Sequence, residues 1–125
     1  MTVLFDSTIL IAHLRGEPRA TALLRDAVAA GSAHASVLSR TEIEGGMRSA
    51  ERSDVARLFT ALDLVPVNDA IAKRAAEHLR KYRRSHSGID IIDYVVVASA
   101  EQIGAKLATL NVRHFPMVRG LKPPY

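Results

Sequence analysis

The chain opens with an apolar stretch that one acid interrupts, Val3-Leu4-Phe5-Asp6-Ser7-Thr8-Ile9-Leu10-Ile11. Val3-Leu4-Phe5 predicts a buried strand, and Ser7 to Leu14 predicts a short helix, so Asp6 lies at the junction between the two. Burying an ionised carboxylate is costly unless the group is paired, hydrogen-bonded or bound to a metal. Because no neighbouring basic residue offers Asp6 an obvious partner, the stretch predicts a strand-to-helix junction that carries a functional acid.

Strand and helix patterns alternate along the rest of the chain. Ile89 to Ile103 is ambiguous, because Val95-Val96-Val97 favours a strand, whereas the length of the segment and Gly104 behind it favour a helix with a glycine cap. We predict a helix there. Further strands are predicted at Ala33–Val37, Leu64–Val67 and Lys106–Thr109, and further helices begin at Pro18, Ser39, Ser53 and Asn68 or Asp69. This alternation predicts an α/β fold with helices on both faces of a mainly parallel sheet.

Apolar spacing also predicts which helix faces are buried. The predicted inward residues are Ala22, Leu23, Ala27 and Val28 in the second helix, Val55, Leu58, Phe59 and Leu62 in the fourth, and Ile71, Ala75, Ala76 and Leu79 in the fifth. The apolar helix faces between Ser7 and Val28 and between Ser53 and Leu62 are larger than a small core needs. They could form a surface for a partner chain or a second copy, and the alternative is plain core packing.

Composition limits the class of protein. The 125 residues, 48% of them hydrophobic, predict a single globular domain over residues 1–125. The absence of cysteine excludes disulfides and thiolate metal sites and fits a reducing cytoplasm. No segment reaches the roughly 20 apolar residues of a membrane span, so no membrane association is expected. The net charge of +4 and pI of about 9.9 favour a polyanionic partner such as RNA or DNA, although a basic surface without such a partner fits equally.

Three further oxygen-bearing side chains are expected near Asp6. Glu42 and Asp93 lie near the starts of apolar helical segments, and Asn111 follows the last predicted strand. In parallel α/β sheets, ligands bind beyond the carboxyl ends of the strands, so these side chains should converge at one edge. Hard oxygen ligands suit Mg²⁺ and, as an alternative, Mn²⁺. The sequence therefore predicts a divalent metal site.

Each of these residues also has a purely structural interpretation. Ser39-Arg40-Thr41-Glu42 fits a capping box in which Glu42 reaches back to the Ser39 amide. Asp90 and Asp93 share one helix face, and either could stabilise the helix N-terminus. Asp90 fits helix capping, or support of a ligand, better than direct ligation. Asn111 could be an ordinary turn residue.

Four segments together resemble the PIN-domain family. They are Val3–Ile11, Ser39-Arg40-Thr41-Glu42-Ile43-Glu44-Gly45-Gly46, Asp93-Tyr94-Val95-Val96-Val97-Ala98-Ser99-Ala100 and Thr109-Leu110-Asn111-Val112-Arg113-His114-Phe115. No single segment is specific, but the ordered set spans nearly the whole chain and looks like a VapC-type toxin of a bacterial toxin–antitoxin pair. The resemblance implies a three-layer α/β/α PIN-like fold.

The resemblance also implies an activity and its residues. It implies a Mg²⁺-dependent endoribonuclease in which Asp6, Glu42 and Asp93 are catalytic and hold the metal. It further implies a homodimer that a VapB-type antitoxin silences in a hetero-oligomer. Asn111 departs from the family pattern, because many relatives place an aspartate there; an amide can ligate but brings no charge, and Asp90 could restore that charge.

Basic residues are the expected RNA contacts. Arg113 lies next to Asn111, and Arg83 and Arg84 belong to the dense basic cluster Arg80-Lys81-Tyr82-Arg83-Arg84. That cluster also fits a solvated helix end. His114 could transfer protons, but it fits better as a residue that helps Phe115 seat its loop.

Two rival functions remain. A PIN-like module that binds RNA or a partner without efficient hydrolysis would keep the fold, with Asn111 as the sign of lost chemistry. A receiver-type phosphoacceptor domain also has an aspartate after its first strand. It requires extra acids just before that residue and a lysine beyond a late strand, whereas here Asn111 follows Thr109 and no lysine lies nearby.

Overall fold

A parallel sheet of four short strands forms the centre of the protein. The computed structural model describes residues 1–125. The strands are β1 (Val3–Phe5), β2 (Ala33–Ser36), β3 (Asp63–Val65) and β4 (Lys106–Ala108). They lie in the order β3-β2-β1-β4, and Val3 stands opposite Ala33 on one side and Lys106 on the other. The predicted parallel α/β architecture is confirmed.

Six α-helices cover the sheet. They are α1 (Ser7–Leu14), α2 (Pro18–Ala29), α3 (Val37–Gly46), α4 (Arg52–Ala61), α5 (Asp69–Tyr82) and α6 (Ile91–Ile103). Short 3-10 turns occupy Ser49–Glu51 and Val112–His114. The helix predicted for the ambiguous region is α6, and it ends at Gly104, whose φ of 65° is the left-handed conformation that glycine adopts without strain. None of the helices combines the length and apolar character needed to cross a bilayer.

Two apolar cores make the fold three-layered. Successive residues of a strand point to opposite faces, so Phe5 enters one core and Leu4 the other. The Phe5 core is built by α1 to α4, and the Leu4 core by α5 and α6. Leu4 is fully buried and Phe5 is 2% exposed. Burial of each such side chain contributes about 1.5–3 kcal/mol, so the opening strand holds the two outer layers together.

A polar cluster joins α5 to α6. Arg74 makes two hydrogen bonds to Glu101, of 3.2 and 3.0 Å, and His78 Nε2 lies 2.7 Å from Glu101 Oε1. Partial burial alone would raise the pKa of Glu101, but the hydrogen bonds from Arg74 and His78 outweigh it and lower that pKa. His78 is buried, whereas Ala76, which the apolar spacing placed inside, is exposed. The buried face of α5 therefore includes a histidine because Glu101 provides its partner.

Several predicted boundaries and faces are wrong by a few residues. Ser36 caps α3 by accepting the Leu38 amide, so the helix begins at Val37 and not at Ser39. The 3-10 turn before α4 places the N-cap of that helix at Glu51, whereas Ser53 was the predicted cap. The strand predicted at Leu64–Val67 begins one residue and ends two residues too late, and those predicted at Ala33–Val37 and Lys106–Thr109 each end one residue too late. In α2 the buried residues are Ala20, Leu24 and Ala27, and of the predicted face Ala22 and Val28 are exposed.

The sheet order creates a crevice at the carboxyl ends of β1 and β4. From β1 the chain proceeds to β2 and β3 on one side and returns to β4 on the other. Ligand sites of open α/β sheets lie where the direction of strand addition reverses. Asp6 and Thr109 directly follow these two strands, so the fold places both at that crevice.

Candidate active site

Asp6 is buried at the end of β1 and is held by hydroxyl groups. It is 5% exposed, and its Oδ2 accepts hydrogen bonds from Thr8 Oγ1 at 2.9 Å and Thr109 Oγ1 at 2.8 Å. Its backbone amide donates to the Ala108 carbonyl at 2.9 Å. It forms no salt bridge, because no basic side chain lies within 4.0 Å of its carboxylate. The carboxylate is thus fixed in place without being neutralised.

The two threonines also fix the loop after β4. Thr8 Oγ1 accepts the Leu110 amide at 3.0 Å, and Thr109 Oγ1 accepts the Asn111 amide at 2.9 Å. Thr109 is fully buried. A hydroxyl that donates to a carboxylate while it accepts from a backbone amide uses both of its roles. The position of Asp6 is therefore coupled to the position of the loop that carries Asn111.

Glu42 enters the site through Ser7. The Ser7 hydroxyl donates to Glu42 Oε1 at 2.7 Å, and Ser7 Oγ lies 3.1 Å from Ser39 Oγ. Ser39 lies inside α3, so the capping-box interpretation of Ser39 and Glu42 is wrong. Since Ser36 already caps α3, the Glu42 side chain is available to face β1 and Asp6.

Asp93 is positioned by a helix cap and by a histidine. Asp90 Oδ1 accepts the Ile92 amide at 3.2 Å, and Asp93 Oδ2 accepts the Asp90 amide at 3.2 Å, which together form a capping box. His114 Nδ1 lies 2.9 Å from Asp93 Oδ2. The Asp93 side chain is 16% exposed and that of His114 is 34% exposed. His114 therefore contacts the acidic site directly, a role that the sequence did not reveal.

Burial and neighbouring negative charges raise the pKa values of Glu42 and Asp93. Partial burial raises the pKa of Glu42, the Ser7 hydrogen bond opposes this change, and the neighbouring charges of Asp6 and Asp93 raise the pKa further. Burial also raises the pKa of Asp93, against hydrogen bonds from His114 and the Asp90 amide, and the charge of Asp6 adds to the increase. The three carboxyl groups thus share one region of negative potential.

The carboxylates of Asp6, Glu42 and Asp93 are chemically suitable ligands for a divalent cation, although their side chains are not arranged around a common ion position. The carboxylates of Asp6 and Glu42 have no basic side chain within 4.0 Å, and burial together with neighbouring charges raises the pKa values of Glu42 and Asp93, so these are groups that a cation would stabilise. No three Asp, Glu or His side chains lie close enough to hold an ion as the side chains stand. The expected convergence of four ligands is therefore not observed. Asp6 Oδ2 faces Thr8 and Thr109, and Asp93 Oδ2 faces His114.

The remaining predicted residues lie around this site or apart from it. Asn111 is half-buried beside Thr8, and Arg113 is exposed in the 3-10 turn that follows it. Arg83 and Arg84 are exposed beyond the end of α5 and form no salt bridge. Phe115 is buried, so it anchors the loop as expected.

Comparison with known proteins agrees with this arrangement. The sequence matches the PIN domain family over residues 3–120. It is 47% identical over 123 residues to "Ribonuclease VapC10" of Mycobacterium tuberculosis (strain ATCC 25618 / H37Rv), covering 98% of this chain and 92% of the relative. "Ribonuclease VapC19" of the same strain is 43% identical, with 98% of each chain covered.

Solved structures share the fold at low sequence identity. A toxin–antitoxin complex from Klebsiella pneumoniae superposes with a TM-score of 0.79 at 21% identity and covers 99% of this chain and 98% of that one. A DNA-bound VapBC structure from Salmonella typhimurium has a TM-score of 0.82 at 15% identity, with coverages of 98% and 96%. The family match, the two close relatives and the shared fold show that this chain belongs to the PIN-domain family and, within it, to the VapC group.

Proposed function

We propose that this protein is the toxin of a bacterial toxin–antitoxin pair and hydrolyses RNA phosphodiester bonds as a Mg²⁺-dependent endoribonuclease. The observation that carries the proposal is the buried Asp6, which is held by hydroxyl donors, has no basic partner and lies close enough to Glu42 and Asp93 for its charge to act on both carboxyl groups. A site of this kind is costly unless a cation joins it. The relatives' designation as ribonucleases supports RNA as the substrate.

Asp6, Glu42 and Asp93 would hold Mg²⁺ or Mn²⁺. When bound, the ion supplies charge stabilisation for a phosphoryl group and lowers the pKa of a water molecule. Thr8 and Thr109 orient Asp6, and one of the carboxylates orients the attacking water.

We assign Asp90 and Asn111 smaller roles. Asp90 caps α6 and raises the pKa of Glu42 through its charge, so it contributes to the potential of the site more readily than to direct ligation. Asn111 lines a cleft beside Thr8, and ligation through its side-chain carbonyl oxygen remains a prediction. Arg113, Arg83 and Arg84 remain predicted RNA contacts.

The test compares two site variants with a matched control. Asp6→Asn and Asp93→Asn should abolish Mg²⁺-stimulated cleavage of purified tRNA and rRNA and leave the fold intact. Asp63→Asn makes the same chemical change at a side chain that is 75% exposed on β3, and it should cleave like the unmodified protein. Sequencing of the cut ends would identify the substrate. Full activity of both site variants would overturn the assignment.

The rival function is a PIN-like module that binds RNA or a partner without turnover. It is favoured by the absence of three ligands already assembled for an ion. The same experiment decides between the two, because a binding module would retain RNA without Mg²⁺-dependent product.

We also propose where a VapB-type antitoxin binds. A groove of about 600 Å³ lies between α1, α2 and α4 and is lined by residues that include His13, Leu24, Val28, Leu58 and Leu62. It is the feature that corresponds to the surplus apolar faces predicted for these helices. An amphipathic antitoxin helix would fit there. The proposed assembly is a toxin homodimer that forms a hetero-oligomer with the antitoxin, and light scattering with and without the antitoxin tests it.

A further inference from the structure

Two clefts adjoin the acidic site, and Arg15 lines both. The first, called here the Glu42 cleft, has a volume of about 560 Å³ and runs from Glu42 past Met47 to Arg48. The second, called here the Thr8 cleft, has a volume of about 420 Å³ and includes Thr8 and Asn111. Arg15 therefore stands between two depressions that each end at a residue of the acidic site.

The charge of Arg15 is available for a ligand. Arg15 is exposed directly after the last residue of α1, and no carboxylate lies within 4.0 Å of its guanidinium. Arg48, the other cation of the Glu42 cleft, already pairs with Glu51 at 3.1 Å. Arg15 is therefore the unpaired cation of both clefts.

A polyanion that approaches Asp6 needs such a cation. The three acids of the site repel phosphate groups, so the nucleotides on either side of the reacting one must be held by positive charge. A guanidinium binds phosphate oxygens through two parallel hydrogen bonds. Its place between two clefts allows it to hold a strand that passes from one cleft to the other.

We propose that Arg15 binds the phosphodiester backbone of single-stranded RNA where the Glu42 and Thr8 clefts meet, and thereby sets the path of the strand across Asp6. This inference rests on the proposed ribonuclease function. It assigns a contact that the sequence did not suggest, since the predicted RNA-binding residues were Arg113, Arg83 and Arg84.

The experiment measures binding of RNA apart from its cleavage. The full chain is titrated against a fluorescently labelled, mixed-sequence single-stranded RNA in EDTA at several salt concentrations, and gels show that the RNA stays whole. Arg15→Gln removes one charge, and Arg15→Lys keeps the charge but loses the two-pronged donor. Lys106→Gln is the matched control, because Lys106 is also exposed and unpaired but lies at the amino end of β4, whereas the crevice lies at the carboxyl ends of the strands. Thermal melts show that each variant is folded.

Arg15→Gln should weaken binding about fivefold or more, and the slope of log affinity against log salt should become shallower by about 0.7. Arg15→Lys should keep the slope and recover part of the affinity. Lys106→Gln should change affinity less than about twofold. Equal binding and equal slope for Arg15→Gln and Lys106→Gln would overturn the inference and leave the ribonuclease proposal standing, provided that Mg²⁺ still triggers cleavage. Failure of the unmodified protein both to bind and to cleave RNA would overturn both.

Discussion

Replacement of Thr109 by valine isolates the hydroxyl that holds Asp6. The two side chains have nearly the same shape, so the change removes a donor to Asp6 Oδ2 at 2.8 Å and an acceptor for the Asn111 amide at 2.9 Å. A hydrogen bond to a charged group contributes about 1.5–3 kcal/mol, and a neutral one about 1 kcal/mol. The half-buried Asn111 can turn its amide to water, and the added methyl group recovers part of the loss through burial. The expected net destabilisation is about 2–3 kcal/mol.

Urea denaturation of the metal-free protein measures this cost as a change in midpoint with an unchanged slope. For a chain of this length the corresponding fall in melting temperature is about 6–12 °C. Thr60→Val is the control, because Thr60 is exposed on α4 and donates only to the Ala56 carbonyl of its own helix. It should cost less than about 0.5 kcal/mol.

A double-mutant cycle separates the charge from the shape. In an Asp6→Asn background the bond from position 109 is neutral, so Thr109→Val should cost about 1 kcal/mol less than in the native chain. If Thr109→Val destabilises no more than Thr60→Val, or if its cost does not depend on Asp6, the hydroxyl does not hold this carboxylate and the reasoning fails.

Four further variants test charge and surface. Glu42→Gln should stabilise the metal-free protein at neutral pH, because a carboxyl group with a raised pKa contributes its stability below its unfolded value of 4.5 and loses it as the pH rises through the folded value. Glu101→Gln should destabilise the protein at neutral pH, because the lowered pKa of Glu101 stabilises the fold above pH 4.5 and that contribution is lost on acidification. Urea midpoints are measured at acidic and neutral pH, and midpoints that move in the same direction for both variants would contradict this. Val28→Asp should weaken antitoxin binding by about tenfold or more and leave RNA cleavage unchanged. Calorimetry with the antitoxin measures this affinity, and an unchanged value would show that the groove is not the antitoxin-binding site. His114→Ala should raise the Mn²⁺ concentration needed for half-maximal binding, measured by calorimetry, because it frees the Asp93 side chain; an unchanged titration would exclude this positioning role.

The acids of the site could be predicted from the sequence because each follows from a local pattern. Asp6 interrupts an apolar run, and Asp93 follows Asp90 at the start of a helix, so strand and helix signals alone place both at element ends. The structure confirms these positions and the parallel sheet. The prediction of a helix around Val95, Val96 and Val97 was also correct, because the length of the segment and Gly104 behind it outweighed the β-propensity of the valines.

What holds those acids could not be predicted, because the partners lie far apart in the chain. Thr109 reaches Asp6 across 103 positions, Ser7 reaches Glu42 across 35, and His114 reaches Asp93 across 21. The capping-box error has the same origin, because a local pattern offered Glu42 a neighbour and tertiary structure provided Ser7 instead. Arg15 was not predicted as an RNA contact, because its position between two clefts depends on how the surrounding helices pack and cannot be read from the local sequence.

The contacts of Thr109 and His114 determine when, during synthesis, the acids of the site gain their hydrogen-bond partners. Asp6 leaves the ribosome early, together with its donor Thr8, but its second hydroxyl donor, Thr109, arrives only after β4, and Asp93 gains its imidazole partner later still. A nascent polypeptide that ends before residue 109 therefore has its acids but lacks the Thr109 hydroxyl that contacts Asp6 and the His114 imidazole that contacts Asp93. The acidic cluster therefore gains its complete set of hydrogen bonds only when the last segment of the chain has folded back onto the first strand.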